Sequence, residues 1–179
     1  ALPALHAVMG YGGVAGQRVL VTGGAGAVGH YAVQFARLLG ARQVLATVSS
    51  AAKGAIASAA GADAVIDYRR DDVGARVREA TQGEGVDRIV EVDVAANATT
   101  DLDLIRPGGA CVVYGSGAAQ FALPFFPLIV KNVTMHFFIV YNLGDADRER
   151  AVAALTGWLE RGVVMHQIAA RVPLERIAE

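Results

Sequence analysis

Short runs of aliphatic and β-branched residues alternate along the chain with longer stretches whose apolar positions recur at helical spacing, the pattern of parallel strands joined by crossover helices. Arg18 to Thr22 predicts the first strand, with Gly16 ahead of it and a glycine cluster behind. From Val28 the apolar residues Val28, Ala32, Phe35, Ala36 and Leu39 keep a helical period, and Gly40 stands where a helix C-terminal glycine belongs. Further strands are predicted over Gln43 to Val48, Ala64 to Asp67, Val86 to Val92, Ala110 to Gly115 and Val133 to Val140. Helices are predicted over Ala51 to Ala60, Asp71 to Thr81, the segment near Asn97 to Ile105, and Asp145 to Arg161. Arg106-Pro107-Gly108-Gly109 reads as a turn. This rhythm predicts an α/β fold, a doubly wound parallel six-stranded sheet with helices on both faces, in the order 3-2-1-4-5-6.

Composition narrows the class. The 179 residues suit one domain with a developed core, 54% of them hydrophobic and 18% charged. A formal net charge of −1, with cations spread along the chain, predicts no nucleic-acid or anionic-membrane partner. The single Cys111 excludes an internal disulfide and a multi-thiolate zinc site; in its apolar run it reads as a buried, inert thiol, and a reducing, cytoplasmic setting is expected. Apolar stretches such as Phe121 to Val130 contain prolines and fall short of the roughly 18 residues a membrane span needs. No positive region precedes the first apolar residues, so no signal peptide is expected. The chain opens on an apolar segment, Ala1 to Met9, and stops at Val172-Pro173-Leu174-Glu175-Arg176-Ile177-Ala178-Glu179, read as a starting helix. Both ends predict a domain taken from a longer protein.

The chemistry concentrates in Thr22-Gly23-Gly24-Ala25-Gly26-Ala27-Val28-Gly29, which follows a strand and opens a helix, as a Rossmann-type dinucleotide fingerprint must. Glycines let the backbone turn sharply and let a pyrophosphate reach peptide N–H groups with no Cβ in the way. The helix N-terminus beyond them supplies free donors and partial positive charge, and Gly29 lets helix and strand pack closely. No Gly-Lys pair exists for a P-loop, and no tyrosine is followed four residues on by the lysine of short-chain dehydrogenases. Methyltransferases with such a loop normally carry an acidic residue at the end of the second strand; this strand ends Thr47-Val48-Ser49-Ser50, with Lys53 three residues later. Hydroxyls and a cation suit a ribose 2′-phosphate, which an acidic residue would repel, so NADPH is favoured over NADH.

Several segments together resemble the zeta-crystallin-like quinone oxidoreductases of the medium-chain dehydrogenase/reductase superfamily. These are Val19 to Gly40, Ala46 to Lys53, Gly61 to Arg69, Gly85 to Glu91, Ala96-Asn97, Arg106 to Gly109 and Val113 to Ser116. The resemblance runs along nearly the whole chain, yet only over that family's cofactor domain; it implies a parent with a separate N-terminal, GroES-like catalytic domain. It implies pyrophosphate contacts at Gly23, Ala25, Gly26, Ala27, Val28 and Gly29, and adenosine 2′-phosphate and adenine contacts at Ser49, Ser50, Lys53 and Tyr68. Asn97, Tyr114, Gly115, Ser116 and Gly117 fall to the ribose and nicotinamide side, with Phe137, Phe138 and Ile139 near the nicotinamide. Each position also admits a structural role: Ser49 or Ser50 can cap the second helix, Tyr68 can cover the sheet edge, Asn97 can cap its helix, and the phenylalanines can be core. The chain departs from the family at Glu91-Val92-Asp93-Val94, where many members carry Asp-x-Val-Gly, and at Ala4-Leu5-His6-Ala7.

The implied activity is hydride transfer from NADPH to a quinone or similar electron-poor acceptor, with no zinc and no catalytic residue in this domain. His6, His30, His136 and His166 lack ligand spacing. A non-catalytic NADPH-binding module, as a sensor or crystallin-like protein, is the competing class. An enoyl reductase or alcohol dehydrogenase of the same superfamily is the third reading. Val133 to Val140, uncharged and apolar on both faces, is expected at the sheet edge and, as the resemblance also implies, in a homodimer contact.

Overall fold

The computed structural model describes residues 1–177. Strands β1 (Arg18–Val21), β2 (Gln43–Val48), β3 (Ala64–Asp67), β4 (Val86–Glu91), β5 (Ile105–Val113) and β6 (Thr134–Phe137) form one parallel sheet in the order β3-β2-β1-β4-β5-β6, as the sequence predicts. Around it lie α1 (Leu2–Met9), α2 (Gly29–Leu38), α3 (Ala51–Ala59), α4 (Val73–Ala80), α5 (Val94–Leu104), α6 (Phe125–Val130) and α7 (Asp145–Glu160).

Alternation along each strand splits the core in two. Val19, Val21, Val44, Ala46, Val48, Val90 and Val112 face one layer, packed with residues of α1, α2, α3 and α7. Leu20, Leu45, Ile89, Cys111 and Val113 face the other, against Val77 of α4 and Val94, Ala98 and Leu104 of α5. Every residue of β1 is buried, which is why the central strands read as unbroken apolar runs. Burial also pushes the Cys111 thiol well above its ordinary range, in keeping with an inert side chain.

Several boundaries depart from the sequence reading, each for a local reason. The stretch Ala1 to Met9 holds helix α1, whose Ala4, Leu5, Ala7 and Val8 are fully buried. Its end is held by Arg88 of β4, whose guanidinium donates to the carbonyl oxygens of Ala7, Gly10, Tyr11 and Gly13 at 2.9–3.4 Å. Helix α4 starts at Val73, not Asp71, because the Asp72 carboxylate accepts from the Ala75 N–H at 2.9 Å. Helix α5 starts at Val94, ahead of Asn97, because Asp93 caps it. The tetrapeptide at residues 106–109 is no separate turn: it lies inside β5, in a stretch where the register with β4 shifts between Val86 and Arg88 and Gly108 takes φ +76°. Strand β6 is four residues long, since a 3-10 turn begins at Val140 and Phe138 folds in against the His6 ring. Residues Phe125–Val130 form the short helix α6. Near the C-terminus a 3-10 turn covers Leu174–Arg176 where a starting helix was expected; Ala178 and Glu179 of that expectation lie outside the described residues.

Candidate functional site

The loop after β1 is pinned by backbone and threonine contacts. Gly23, at φ +67°, donates its N–H to Thr47 Oγ1 at 3.1 Å, and Gly24 donates to the Thr47 carbonyl at 2.9 Å. Thr22 Oγ1 donates to the Val90 carbonyl and accepts from the Val92 N–H, tying β1 to β4 where the strand order reverses. A Cβ on Gly24 would stand 2.6 Å from Ala46 Cβ, and one on Gly29 only 2.2 Å from the Gly23 carbonyl oxygen. Helix α2 thus approaches the strand as closely as the glycine spacing predicts. It opens with no side-chain cap and no acidic residue in its first turn, and Gly26 and Ala27 in front of it are exposed. No side chain therefore competes with an anion at its N-terminus, although the His30 and Ala32 N–H groups already donate to the Gly26 and Val28 carbonyl oxygens.

At the end of β2 the Lys53 ammonium donates to Ser49 Oγ at 2.9 Å, while Ser50 caps α3 by accepting from the Lys53 N–H at 3.3 Å. Ser50 thus plays the capping role, and Ser49 and Lys53 form the hydroxyl–cation pair. Among the described residues Lys53 has no carboxylate partner. Tyr68, just past β3, is half exposed.

Two adjoining cavities open along this edge of the sheet. The first, about 530 Å³, is bounded by Thr22, Gly23, Thr47, Tyr68, Asp93 and Asn97, and reaches past Thr100 and Asp101 on α5. Ser116 and Gly117 line it too. The second, about 450 Å³, is lined by Tyr114, Gly115, Ser116, Phe121, Phe137, Phe138 and Ile139, and is largely apolar. Tyr68 and Asn97 are thus brought together in one cavity and the three residues 137–139 in the next, with Ser116 on both. Ser49, Ser50 and Lys53 line neither; they follow the end of β2, beside the strand that ends at Asp67. Phe137 and Ile139 are more than half exposed, whereas Phe138 packs on the core.

Asn97 does not cap its helix: Asp93 does so, accepting from Ala96 N–H at 3.4 Å, and it also accepts from the loop N–H of Gly117 at 2.7 Å. Asn97 instead donates its side-chain N–H to Glu91 Oε1 at 3.0 Å. Sequence reasoning singled out neither Asp93, Glu91 nor Asp101 as site residues. Asp93 was visible as an acidic residue just ahead of a helical stretch; the other two gave no local signal. Glu91 is fully buried, and Asp101 beside it is pushed up to about 9 by burial and by the Glu91 carboxylate. Burial, with Glu91 behind it, also raises the Tyr114 hydroxyl well above its ordinary range.

The histidines are dispersed. His30 Nε2 meets the Met165 carbonyl, His166 Nδ1 meets the Tyr31 hydroxyl, His6 meets the Tyr11 hydroxyl, and His136 stacks on Tyr11. No cluster of three or more metal-ligating side chains occurs among the described residues. No helix among them is long and apolar enough to cross a membrane.

Residues 27–157 match the family described as zinc-binding dehydrogenase. The 2-haloacrylate reductase of a Burkholderia species is 40% identical over 169 residues, spanning 91% of this chain and 50% of that protein. The quinone oxidoreductase of Pseudomonas aeruginosa is 35% identical over 167 residues, spanning 91% and 51%. The crystal structure of Escherichia coli quinone oxidoreductase complexed with NADPH superposes with a TM-score of 0.82 at 26% identity, covering 94% of this chain and 54% of that one. The chain spans about half the length of the curated relatives it matches.

Proposed function

The chain belongs to the zinc-binding dehydrogenase family of the medium-chain dehydrogenase/reductase superfamily, as its cofactor-binding portion, and from that premise we propose that it holds NADPH across the C-terminal edge of its sheet. It does so for a zinc-independent reductase that passes hydride to a quinone or another electron-poor acceptor. The relatives are about twice its length, so in this reading the acceptor is held together with a second, N-terminal domain. The protein works in the cytoplasm, where the buried Cys111 thiol stays reduced.

One observation carries the choice of cofactor: the tip of β2 offers Ser49 and Lys53 joined to each other, with no acidic residue there to hold a free ribose 2′-hydroxyl. The loop fits a pyrophosphate, because Gly24 and Gly29 leave no room for a Cβ and α2 begins uncapped. The residues then divide the work. Amides around Ala25, Gly26, Ala27 and Val28 take the pyrophosphate, Ser49 and Lys53 the 2′-phosphate, and Tyr68 the adenine face. Asn97, Ser116 and Gly117 meet the ribose, and Tyr114, Gly115 and residues 137–139 wall the nicotinamide side and exclude water. When bound, NADPH supplies the hydride, two electrons with one proton, and solvent supplies the second proton that completes reduction of the acceptor.

Calorimetric titration with NADPH and NADH tests the reading. NADPH should bind about ten- to a hundredfold tighter, the worth of a charge-assisted contact to phosphate, and Lys53→Ala should remove most of that preference. Equal affinities, or a preference intact in the variant, would refute it.

The second copy is part of the same proposal. Strand β6 pairs only with β5, so one side of its backbone is unpartnered within the sheet, and it carries no charge or proline to block pairing. Phe137→Pro should lower the dimer fraction seen by light scattering. A wild type that is monomeric at high micromolar concentration would end the dimer reading.

A further inference from the structure

Two buried carboxyl groups stand at the α5 wall of the first cavity. Glu91, at the end of β4, is fully buried, and Asp101, on the inner face of α5, is 5% exposed. Glu91 Oε2 and Asp101 Oδ2 are both buried and meet no hydrogen-bond partner. The other Glu91 oxygen is fully used: Oε1 accepts from the Asp93 N–H and from the Asn97 side-chain N–H. Asp101 follows Asn97, the partner of Glu91, by one helical turn, and two neighbouring carboxyl groups this deeply buried cannot both carry a charge, so the pair holds a proton. Oε1, accepting two N–H donors, carries no proton itself; the carboxyl that burial and its neighbour raise is Asp101, so the proton of the pair rests there.

That arrangement has a consequence for Asn97. Because Glu91 can only accept, it holds the NH₂ end of the Asn97 amide and turns the carbonyl end away, on a side chain that lines the cavity. We propose that Asp101 and Glu91 hold one proton in common and act as positioning residues for the cofactor, fixing Asn97 with its carbonyl oxygen presented to the ribose hydroxyls. The inference rests on the reading that Asn97 meets the cofactor. Loss of the shared proton sets two buried carboxylates against each other, releases the Glu91–Asn97 contact and adds negative charge beside a site for an anionic ligand.

Several titratable and charged groups surround the pair. Asp101 is pushed up to about 9, by burial first and Glu91 second. Facing the pair from β5 and just beyond it are Cys111 and Tyr114, both raised by burial and neutral through the range tested. Asp93 stands at the turn after β4, and Arg88 lies on β4, its guanidinium held by carbonyl oxygens. On α4, which packs against α5, Arg78 lies near the exposed Asp103. Lys131 donates to the carbonyls of Leu102, Asp103 and Ile105 at the end of α5, and Tyr68 lines the cavity opposite.

The test is NADPH affinity by fluorescence titration from pH 7 to 10 for the wild-type chain, Asp101→Leu and Asp101→Asn. Leucine leaves Glu91 without its donor and should weaken binding about tenfold at pH 7. Asparagine restores a donor that does not titrate; it should rescue most of that loss. Relative to it, wild-type affinity should fall about tenfold per pH unit above 9. Identical pH profiles for wild type and Asp101→Asn, or full affinity in Asp101→Leu, would overturn the proposal. Infrared spectroscopy of the unsubstituted chain needs no variant to fold: a protonated-carboxyl band at neutral pH should vanish as pH rises through about 9. Its absence at neutral pH would overturn the shared proton. A wild type that binds no NADPH at pH 7 would sink the cofactor reading and the positioning role with it, while the infrared band still decides whether the proton is shared.

Discussion

Replacing Gly29 by alanine sets two physical effects against each other. On helix propensity alone the change should stabilise the first turn of α2 by up to about 1 kcal/mol. Packing says the reverse. The new methyl would stand 2.2 Å from the Gly23 carbonyl oxygen, 2.8 Å from its carbon and 2.9 Å from Gly24 Cα, all backbone atoms. These atoms cannot give way cheaply, because Thr47 holds both residues through its hydroxyl and its carbonyl, and Gly23 sits at positive φ. The helix must back away by roughly 1 Å to reach ordinary contact distance. In doing so it loosens Ala32, Val33, Phe35 and Ala36 from the core. Overpacking of this kind costs about 1–3 kcal/mol, a fall in Tm of roughly 3–10 °C at this chain length.

The same displacement draws the N-terminus of α2 away from a bound phosphate, so NADPH affinity should drop at least about tenfold. Gly26→Ala is the control. Its φ is ordinary, the residue is exposed, and the added methyl meets one carbonyl oxygen at 3.2 Å. Its Tm should stay within the range of a surface change, about 0.5 kcal/mol, while the methyl at the loop surface hinders phosphate approach. Thermal melts by circular dichroism and NADPH calorimetry on both variants are the assay. A Gly29→Ala protein as stable as wild type, or more so, would show that propensity wins and that the close approach does not hold α2 in place.

Two further outcomes follow from buried charge. Arg88→Met keeps the aliphatic stem but removes the guanidinium hydrogen bonds to four carbonyl oxygens at and just beyond the end of α1; urea denaturation should show a loss of about 3 kcal/mol, and an unchanged midpoint would contradict the role given to Arg88. Asp101 keeps its proton in the folded chain up to about 9, whereas the unfolded chain releases it near 4. The unfolded state therefore binds fewer protons across that window, and this group's contribution to stability falls as pH rises through it. Wild type should lose more stability between pH 6 and 9 than Asp101→Asn does, and parallel curves would count against the raised carboxyl.

What the sequence exposed and what it hid divide along one physical line. The central strands were legible because a parallel sheet buries both faces, so Arg18–Val21 and Gln43–Val48 stand out as apolar runs between glycines. The loop at residues 22–29 was legible because its glycines are required by backbone geometry, which spacing records directly. Helix α1 was not: it is buried on nearly every side, so it shows no polar face and no period against which a helix could be read. The carboxyl pair was hidden for a different reason. Glu91 and Asp101 lie ten positions apart on different elements and meet only because α5 turns one face to β4. A faint signal did exist. Val94, Ala98 and Leu102 recur at four-residue spacing along that helix, all buried, and Asp101 sits three residues after Ala98 on the same side. An acidic residue in register with a buried stripe must either break the helix packing or find a reason to be neutral. Here the reason stands at the end of the neighbouring strand, in a glutamate that can only accept.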